Sequence, residues 1–578
     1  MMRVPEFGNK GDQDAQDGMR RVSLENMEGK RYLEGFLLGL LGMFMLCTVI
    51  LALVPPIAKD ELVHHLAVPK LYLKHGGMFE IPFMPFSYYP MNLDLLYVIP
   101  LYFGNDIVPK FIHFSFALFT AALLFWYLRR RTGVGYALFG AVFFLSIPII
   151  VKLSITAYVD LGVLFFSFAS LLLLLKWAEQ GMKKKFLIFS GVMAGLAMGT
   201  KYNALITTAL LTLFVPIVSA RQGKRSFFRP ARHALLFLGV ALLVFSPWMA
   251  RNYAWKNNPI YPLYDNLLNP RTSPDSAMDQ DQGPSINSGL GVFVIREGIY
   301  HETWWEIALV PVRIFFQGED GSPKHFDGKL NPFLLLLPIF AFWRLREERE
   351  EVRNEKKIML AFVVLFFAIA FFTSDLRIRY VAPIIPVLVV LSIMGVEKLH
   401  RAIGKGRRGR GKNMVFALLM LILTLALAYN GRYVLEQLNQ VEPFGYIAGA
   451  VSRDQYLDRH RPEYAAMRYI NRHLPQEAKV MLLFLGGRGY YCDRNYVYGD
   501  EALGSVFMGS DSGEEIRSKL EGMGVTHLLI YDPLFAQWVN GNLKENNEKA
   551  LKSFFLNYVK LVYSKNYFSV FVLGDVSS

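Results

Sequence analysis

Directly after its first long apolar run the chain reads PPIAKDELVHHLAVPKLYLKHGG over residues 55–77, which brings Asp60, Glu61, His64 and His65 into one short stretch. Further isolated charges stand in apolar surroundings: Asp160 in SITAYVDLGVLFF, Lys201 in MGTKYNAL, and Arg377 and Arg379 in SDLRIRYVAPIIP. A carboxylate can accept the proton of an attacking hydroxyl or amine, an effect worth roughly 10² to 10⁴ in rate. Cations or a metal ion can stabilise a departing phosphate. Acids and separate cations gathered at one membrane depth point to a transfer reaction.

Each of these residues also has a quieter reading. Taken as a helix, the stretch puts Leu62, Val63, Leu66 and Leu73 on an apolar stripe, with Asp60 four residues from His64 and Glu61 four from His65. Such a helix would lie flat at the interface with its acids at the membrane boundary. Acids in a first turn also favour the helix dipole, with no chemistry implied. Asp160 is costly beside a span and a functional candidate for that reason, or else it pairs with Lys152 of the preceding span. Lys201 holds an anion or snorkels to the interface. Arg377 and Arg379 break the positive-inside trend and need an anion to face, a phosphate being the natural one.

The elements that must position these residues are membrane spans. The chain has 578 residues, 53% hydrophobic, 14% aromatic and only 19% charged, too apolar for an ordinary soluble enzyme. Apolar runs recur at 34–54, 107–128, 134–152, 157–177, 185–200, 204–220, 233–249, 331–343, 357–373, 380–397 and 413–430. Basic clusters at 129–131, 183–185, 221–232, 344–357 and 397–412 occupy the connectors. All five fall on the cytoplasmic side if the stretch 91–104 lies along or dips into the outer surface without crossing.

The expected architecture is therefore an α-helical polytopic membrane protein of about eleven spans. A cytoplasmic tail, 1–33, precedes a transmembrane domain, 34–430, with outer loops 55–106 and 250–330 and a soluble C-terminal α/β domain, 431–578. The turns near 153–160 and 200–203 also fall outside. The net charge of +14 follows from this topology, and nucleic acid is excluded as a partner. No cleavable signal peptide is expected, because a polar tail precedes the first apolar run. Cys47 and Cys492 sit in different predicted environments and suggest no disulfide. The absence of an Asn-x-Ser/Thr acceptor favours a bacterial origin.

In the C-terminal domain, RPEYAAMRYINRHL alternates with the short apolar runs KVMLLF, THLLIY and YFSVFVLG, which predicts an α/β unit with some parallel pairing. LGGRGYY (485–491) lacks the spacing of a phosphate loop and reads as a turn. In the loop 250–330, the aromatic, amphipathic ETWWEIALVPVRIFF (302–316) rests on the interface, and the polar stretch 270–290 is expected to be mobile.

With these residues in view, the sequence resembles the GT-C superfamily of integral-membrane glycosyltransferases, the group that includes protein O-mannosyltransferases and lipid A aminoarabinose transferases. The resemblance rests on Asp60-Glu61, Asp160, GTKYNAL (199–205) and RIRYVAPIIP (377–386). RNYAWKNNPIYPLY (251–264) is similar to the Arg-Asn and Asn-Pro-aromatic-Pro signature of bacterial members. The likeness covers the membrane part and fades over the C-terminal domain.

It implies a polyprenyl-phosphate sugar donor, undecaprenyl phosphate in a bacterium, and a glycan, lipid or protein acceptor reached from the periplasmic side of the inner membrane. By the same resemblance Asp60 is the base, Glu61 stands beside it and Asp160 supports the site, while Lys201, Arg377, Arg379 and Tyr380 hold the donor phosphate. A divalent metal ion is compatible with such chemistry, with His64 and Glu61 as its ligands. Trp304 and Trp305 stack on sugar rings or anchor their loop. Where the two named subfamilies have Lys-Pro-Pro or His-Pro-Pro, this chain has Tyr88, Tyr89 and Pro90, which points to a branch acting on another glycan or lipid with Tyr89 donating to the phosphate. The rival readings are a lipid-linked glycan flippase or transporter, for which repeated halves and midplane charges are expected, a glycan polymerase or ligase, and a binding module in the C-terminal domain.

Overall fold

The computed structural model describes residues 10–221, 228–269, 292–373, 375–405, 410–499 and 502–574. The polar stretch 270–290 lies outside the described residues. Helix α1 (Lys10–Ala52) leads to a short π-helix, Glu61–His65, and then α2 (Ala67–His75) and α3 (Asn92–Tyr102). The bundle continues with α4 (Val108–Thr132), α5 (Val134–Ser146), α6 (Pro148–Ser154), α7 (Asp160–Glu179), α8 (Lys184–Met198), α9 (Ala204–Arg221) and α10 (Phe228–Lys256). After short helical turns come α11 (Phe333–Ala341), α12 (Glu350–Thr373), a 3₁₀ segment Ile378–Ile384 running into α13 (Ile385–Lys405), and α14 (Arg410–Val441).

Every predicted apolar run is helical, but the number of spans is smaller than expected. Among the described residues eight helices are long and apolar enough to cross a membrane, or nine if the bent pair α5–α6 is one span. The two runs that fall short are α8, with 15 residues, and α11, with nine. At 1.5 Å per residue these reach only about 22 and 14 Å against a hydrocarbon core of about 30 Å. The stretch 91–104 forms α3, whose 11 residues are too few to cross.

Local chemistry explains the breaks that matter for the site. Pro148 has no N–H to continue α5 and sits at the first position of α6, where none is needed. The two helices meet at 65°. That bend carries the chain into the turn 155–159 and the start of α7. Close packing of α8 on α10 depends on Gly191 and Gly195, a small-xxx-small pair: a Cβ on Gly195 would lie 2.6 Å from both the Ala241 carbonyl oxygen and the Val244 Cβ.

The C-terminal domain is a mixed five-stranded sheet in the order β2-β1-β3-β5-β4, formed by β1 (Lys479–Leu483), β2 (Asn495–Tyr498), β3 (His527–Tyr531), β4 (Val559–Lys565) and β5 (Phe568–Leu573). The β1 strand pairs in parallel with β2 and β3, and β5 runs antiparallel to β3 and β4. This domain is docked on the first loop. The Tyr490 N–H donates to the Leu62 carbonyl, Tyr491 Oη donates to the Pro56 carbonyl at 2.7 Å, and Lys70 Nζ of α2 reaches the Tyr490 carbonyl at 2.6 Å and Asp493 at 2.7 Å. The turn foreseen at LGGRGYY is thus the surface that meets the Asp60 segment; Gly486 and Gly487 take the positive φ values of 61° and 73° there.

The glycine contact gives a direct test. Gly195→Ile should push α8 from α10 and destabilise the protein by about 1–3 kcal/mol, as overpacking does. A lower melting temperature in detergent is the expected readout, with Gly239→Ile, where the added Cβ meets nothing, as the neutral control.

Candidate active site

Five pieces of chain converge at one end of the bundle: the loop 58–65, the start of α3, the turn 155–160, the turn at Lys201, and the 3₁₀ segment with Arg379 and Tyr380. Arg379 Nη1 donates to Asp60 Oδ2 at 2.5 Å, and Lys201 Nζ donates to Asp160 Oδ1 at 2.8 Å. The Tyr380 ring joins the two pairs, lying 5.4 Å from the Lys201 ammonium and 5.3 Å from the Arg379 guanidinium. Arg379 also lies 5.3 Å from the Tyr158 ring. The Asp60 side chain keeps 21% of its surface exposed, whereas that of Asp160 is 3% exposed and its Oδ2 is buried without a partner. Burial works to raise the Asp60 pKa, but the Arg379 guanidinium outweighs it and holds the carboxyl far below the ordinary range.

Glu61 points elsewhere. Its Oε1 accepts from the Ala157 N–H at 2.5 Å and its Oε2 from the Ala58 N–H at 2.8 Å, so it ties the Asp60 loop to the turn before Asp160. The acids therefore do not face a membrane boundary from a flat helix: Glu61 is buried, and Asp60 turns to Arg379. Burial pushes the Glu61 pKa up. Each of its oxygens thus accepts one backbone N–H. Among the described residues no group of three or more His, Cys, Asp or Glu is placed to hold a metal ion. The His64 and Glu61 pair thus does not assemble as a metal site in this structure.

The remaining expected residues are placed as follows. Tyr89 packs edge-on against Tyr202 at 5.5 Å, and burial pushes its hydroxyl pKa up to about 12, with Tyr380 close enough to contribute. Arg377 touches neither acid pair; its partners are Asp327 at 3.7 Å and Asp375 at 3.9 Å. Lys152, the alternative partner considered for Asp160, meets Asp320 at 3.1 Å and Asp327 at 3.0 Å, because the α5–α6 bend directs it to the loop 317–330. Trp304 is 78% exposed and packs into no cavity, as an interface anchor would.

Asp94 and His113 escaped the sequence reading, and Arg251 entered it only as the start of the Arg-Asn signature. Asp94 of α3 lies buried with Oδ1 2.7 Å from His65 Nδ1. His113 of α4 is buried beneath the turn, its Nδ1 at 2.9 Å from the Leu153 carbonyl and 2.8 Å from that of Thr156, while its Nε2 accepts from the Leu161 N–H. It fixes the first turn of α7 and hence Asp160. Arg251 of α10 is stacked between Trp248 and Trp255 and donates to the Tyr88 and Tyr89 carbonyls, which anchors the loop carrying Tyr89. Asp94 carried a readable signal, an acid inside the apolar MNLDLLYV.

Residues 103–250 match the family described as dolichyl-phosphate-mannose-protein mannosyltransferase, a stretch that contains Asp160 and Lys201 but not Asp60 or Arg379. No curated protein matches the chain by sequence. The crystal structure of ArnT from Cupriavidus metallidurans bound to undecaprenyl phosphate superposes with a TM-score of 0.55 at 14% identity, over 93% of this chain and 98% of that one. The chain has the fold of ArnT. ArnT in the apo state gives the same TM-score at 15% identity, covering 93% of this chain and 97% of that one. The apo oligosaccharyltransferase of Archaeoglobus fulgidus reaches 0.49 at 13% identity, over 93% of this chain and 74% of that one. The eight or nine helices long and apolar enough to cross a membrane among the described residues make the chain a multi-pass membrane protein, with a small C-terminal sheet domain.

The Asp94–His65 pair can be tested by pH. Burial pushes Asp94 up to about 7 and His65 down to about 3. A raised acid contributes stability below its ordinary pKa that is lost as pH rises, here from about 4 to 7; a depressed histidine loses stability as pH falls below about 6.5. Melting curves between pH 4 and 7 should therefore show Asp94→Asn gaining on the parent as pH rises and His65→Gln gaining as pH falls. Parallel shifts of the same sign would contradict the assignment.

Proposed function

We propose that the protein is a glycosyltransferase that moves a sugar from a polyprenyl-phosphate donor to an acceptor at the outer, periplasmic face of a bacterial inner membrane, with Asp60 as the base. The observation that carries this reading is the pair of ion pairs, Asp60–Arg379 and Asp160–Lys201, meeting on one tyrosine ring at the end of the bundle. The basic connectors support the sidedness. Arg131 pairs with Glu355, and Lys356 and Lys398 share Glu348, so connectors distant in sequence gather together as residues of one cytoplasmic side would.

In the proposed reaction an acceptor hydroxyl or amine attacks the anomeric carbon and gives its proton to Asp60. The bond from that carbon to the phosphate oxygen breaks, and the phosphate leaves with the electron pair. Arg379, Lys201 and the Tyr89 hydroxyl hold the phosphate, with Arg377 at the edge of the site; Tyr380 aligns the two cations. A carboxylate held by Arg379 is a weak base. A donor phosphate draws the guanidinium toward itself, so Asp60 becomes more basic when the donor is in place. Asp160 keeps Lys201 in position, and Glu61 holds the two acid-bearing segments in register. This mechanism takes no step through a metal.

Asp60→Asn should lower transfer by about 10² to 10⁴ in proteoliposomes supplied with polyprenyl-phosphate sugar, while expression and membrane insertion are retained. Normal turnover by that variant would remove the reading. Arg377→Ala should raise KM for the lipid donor about tenfold, the loss of roughly one charge-assisted contact, and leave KM for the acceptor unchanged. An unaltered donor KM would take Arg377 out of the phosphate site.

A further inference from the structure

The C-terminal domain brings a cation to the loop that carries Asp60, and that cation has nothing to hold. Between residues 453 and 494 the domain has a run of arginines, and nearly all are engaged. Arg453 pairs with Asp106, Arg459 with Glu442, Arg468 with Asp454 and Asp458, Arg472 with Asp454, and Arg488 with Glu463. Arg494 donates to the Leu474 and Asn471 carbonyls. The Arg461 side chain makes no hydrogen bond, ion pair or aromatic stack among the described residues, and its Nε is buried. A buried guanidinium N–H left without an acceptor is costly and calls for an explanation.

Its backbone is not loose. The Arg461 N–H donates to the Leu457 carbonyl at 2.7 Å, and its carbonyl accepts from the Tyr464 N–H at 2.9 Å. The charges that act on it are Glu463, Arg488, Glu61 and the Tyr158 hydroxyl. None of them bonds to it: Glu463 Oε1 accepts from Arg488 at 2.5 Å, and the Glu61 oxygens accept from the Ala157 and Ala58 N–H groups. Glu61 and Tyr158 flank Asp60, so Arg461 stands at the seam between the C-terminal domain and the site. It approaches from the domain, whereas Arg379 and Lys201 approach from the spans.

We propose that Arg461 binds an anionic group of the acceptor, a phosphate or carboxylate on a glycan or lipid, and so gives the C-terminal domain a part in choosing the acceptor. The word acceptor rests on the glycosyltransferase reading; the anion site does not. Guanidinium suits it, because its planar fork can meet two oxygens of such a group at once. The domain's other contacts to the loop, through Tyr490, Tyr491 and Lys70, serve to hold this arginine at a fixed place over the site.

The test uses the full-length protein in lipid nanodiscs with glucose 6-phosphate as an anionic sugar, glucose as its neutral counterpart, and undecaprenyl phosphate as a donor-type lipid. Glucose 6-phosphate should bind the parent, compete with inorganic phosphate, and bind Arg461→Gln about tenfold more weakly, with Arg461→Lys between them. Arg459→Gln, at an exposed ion pair, should behave as the parent. Glucose should be indifferent to residue 461, and undecaprenyl phosphate should bind parent and Arg461→Gln alike. The proposal is overturned if glucose 6-phosphate does not bind the parent, binds Arg461→Gln equally well, or if Arg461→Gln loses undecaprenyl phosphate in the same measure. If Arg461→Gln fails to fold, Arg461→Lys decides between the same outcomes. Should the parent bind the anionic sugar through Arg461 but not undecaprenyl phosphate, the donor assignment falls and the anion site stands.

Discussion

Between Asp60 and Arg379, 319 residues apart in sequence, a hydrogen-bonded ion pair of 2.5 Å joins the first loop of the chain to the mouth of a late span. Two charges so far from bulk water are tolerated only because each satisfies the other, and removing one would leave its partner stranded at a cost of several kcal/mol. The second pair, Asp160–Lys201, obeys the same constraint and is packed against the first through Tyr380. Pairing fixes where the acids lie. It also holds both cations at this end of the bundle.

Much of the surrounding polar structure supports that arrangement. Glu61 and His113 act on backbone groups of the 153–161 turn from opposite elements, so the start of α7 has little freedom. The bend at Pro148 delivers the turn, Gly195 lets α8 and α10 approach, and Arg251 holds the loop with Tyr89. The C-terminal domain closes the other side of the Asp60 segment, with backbone bonds from Tyr490 to Leu62. Precision at the site thus comes from buried groups that have no alternative partners, which is the condition for a preorganised centre.

The residue types of the site were legible in the sequence and their pairings were not. Asp160, Lys201 and Arg379 stand out because an ionisable side chain in an apolar run is expensive wherever the chain folds. Pairing with Lys152 was the alternative reading for Asp160, by proximity along the chain, but the 65° bend turns Lys152 to Asp320 and Asp327 and leaves Asp160 to Lys201. Glu61 looked like a second catalytic acid or a metal ligand, since nothing in DELVHH shows that its oxygens meet the Ala157 and Ala58 N–H groups. Asp94 met the same criterion as Asp160 yet was passed over inside a segment read as lying on the surface. The helices themselves were foreseen, and so was the shortness of α8 and α11, because apolar length is written locally. Parallel pairing in the C-terminal sheet followed from the alternation of helix and strand, while its docking on the first loop had no sequence signal.

The claim on which the account turns is that a lipid phosphate and Asp60 compete for Arg379. A cryo-electron-microscopy map of the full-length protein with undecaprenyl phosphate tests it most directly. The account predicts phosphate density within about 3 Å of the Arg379 guanidinium, with the Asp60–Arg379 hydrogen bond opened. Lipid phosphate bound at another place, with that pair still closed, would contradict it.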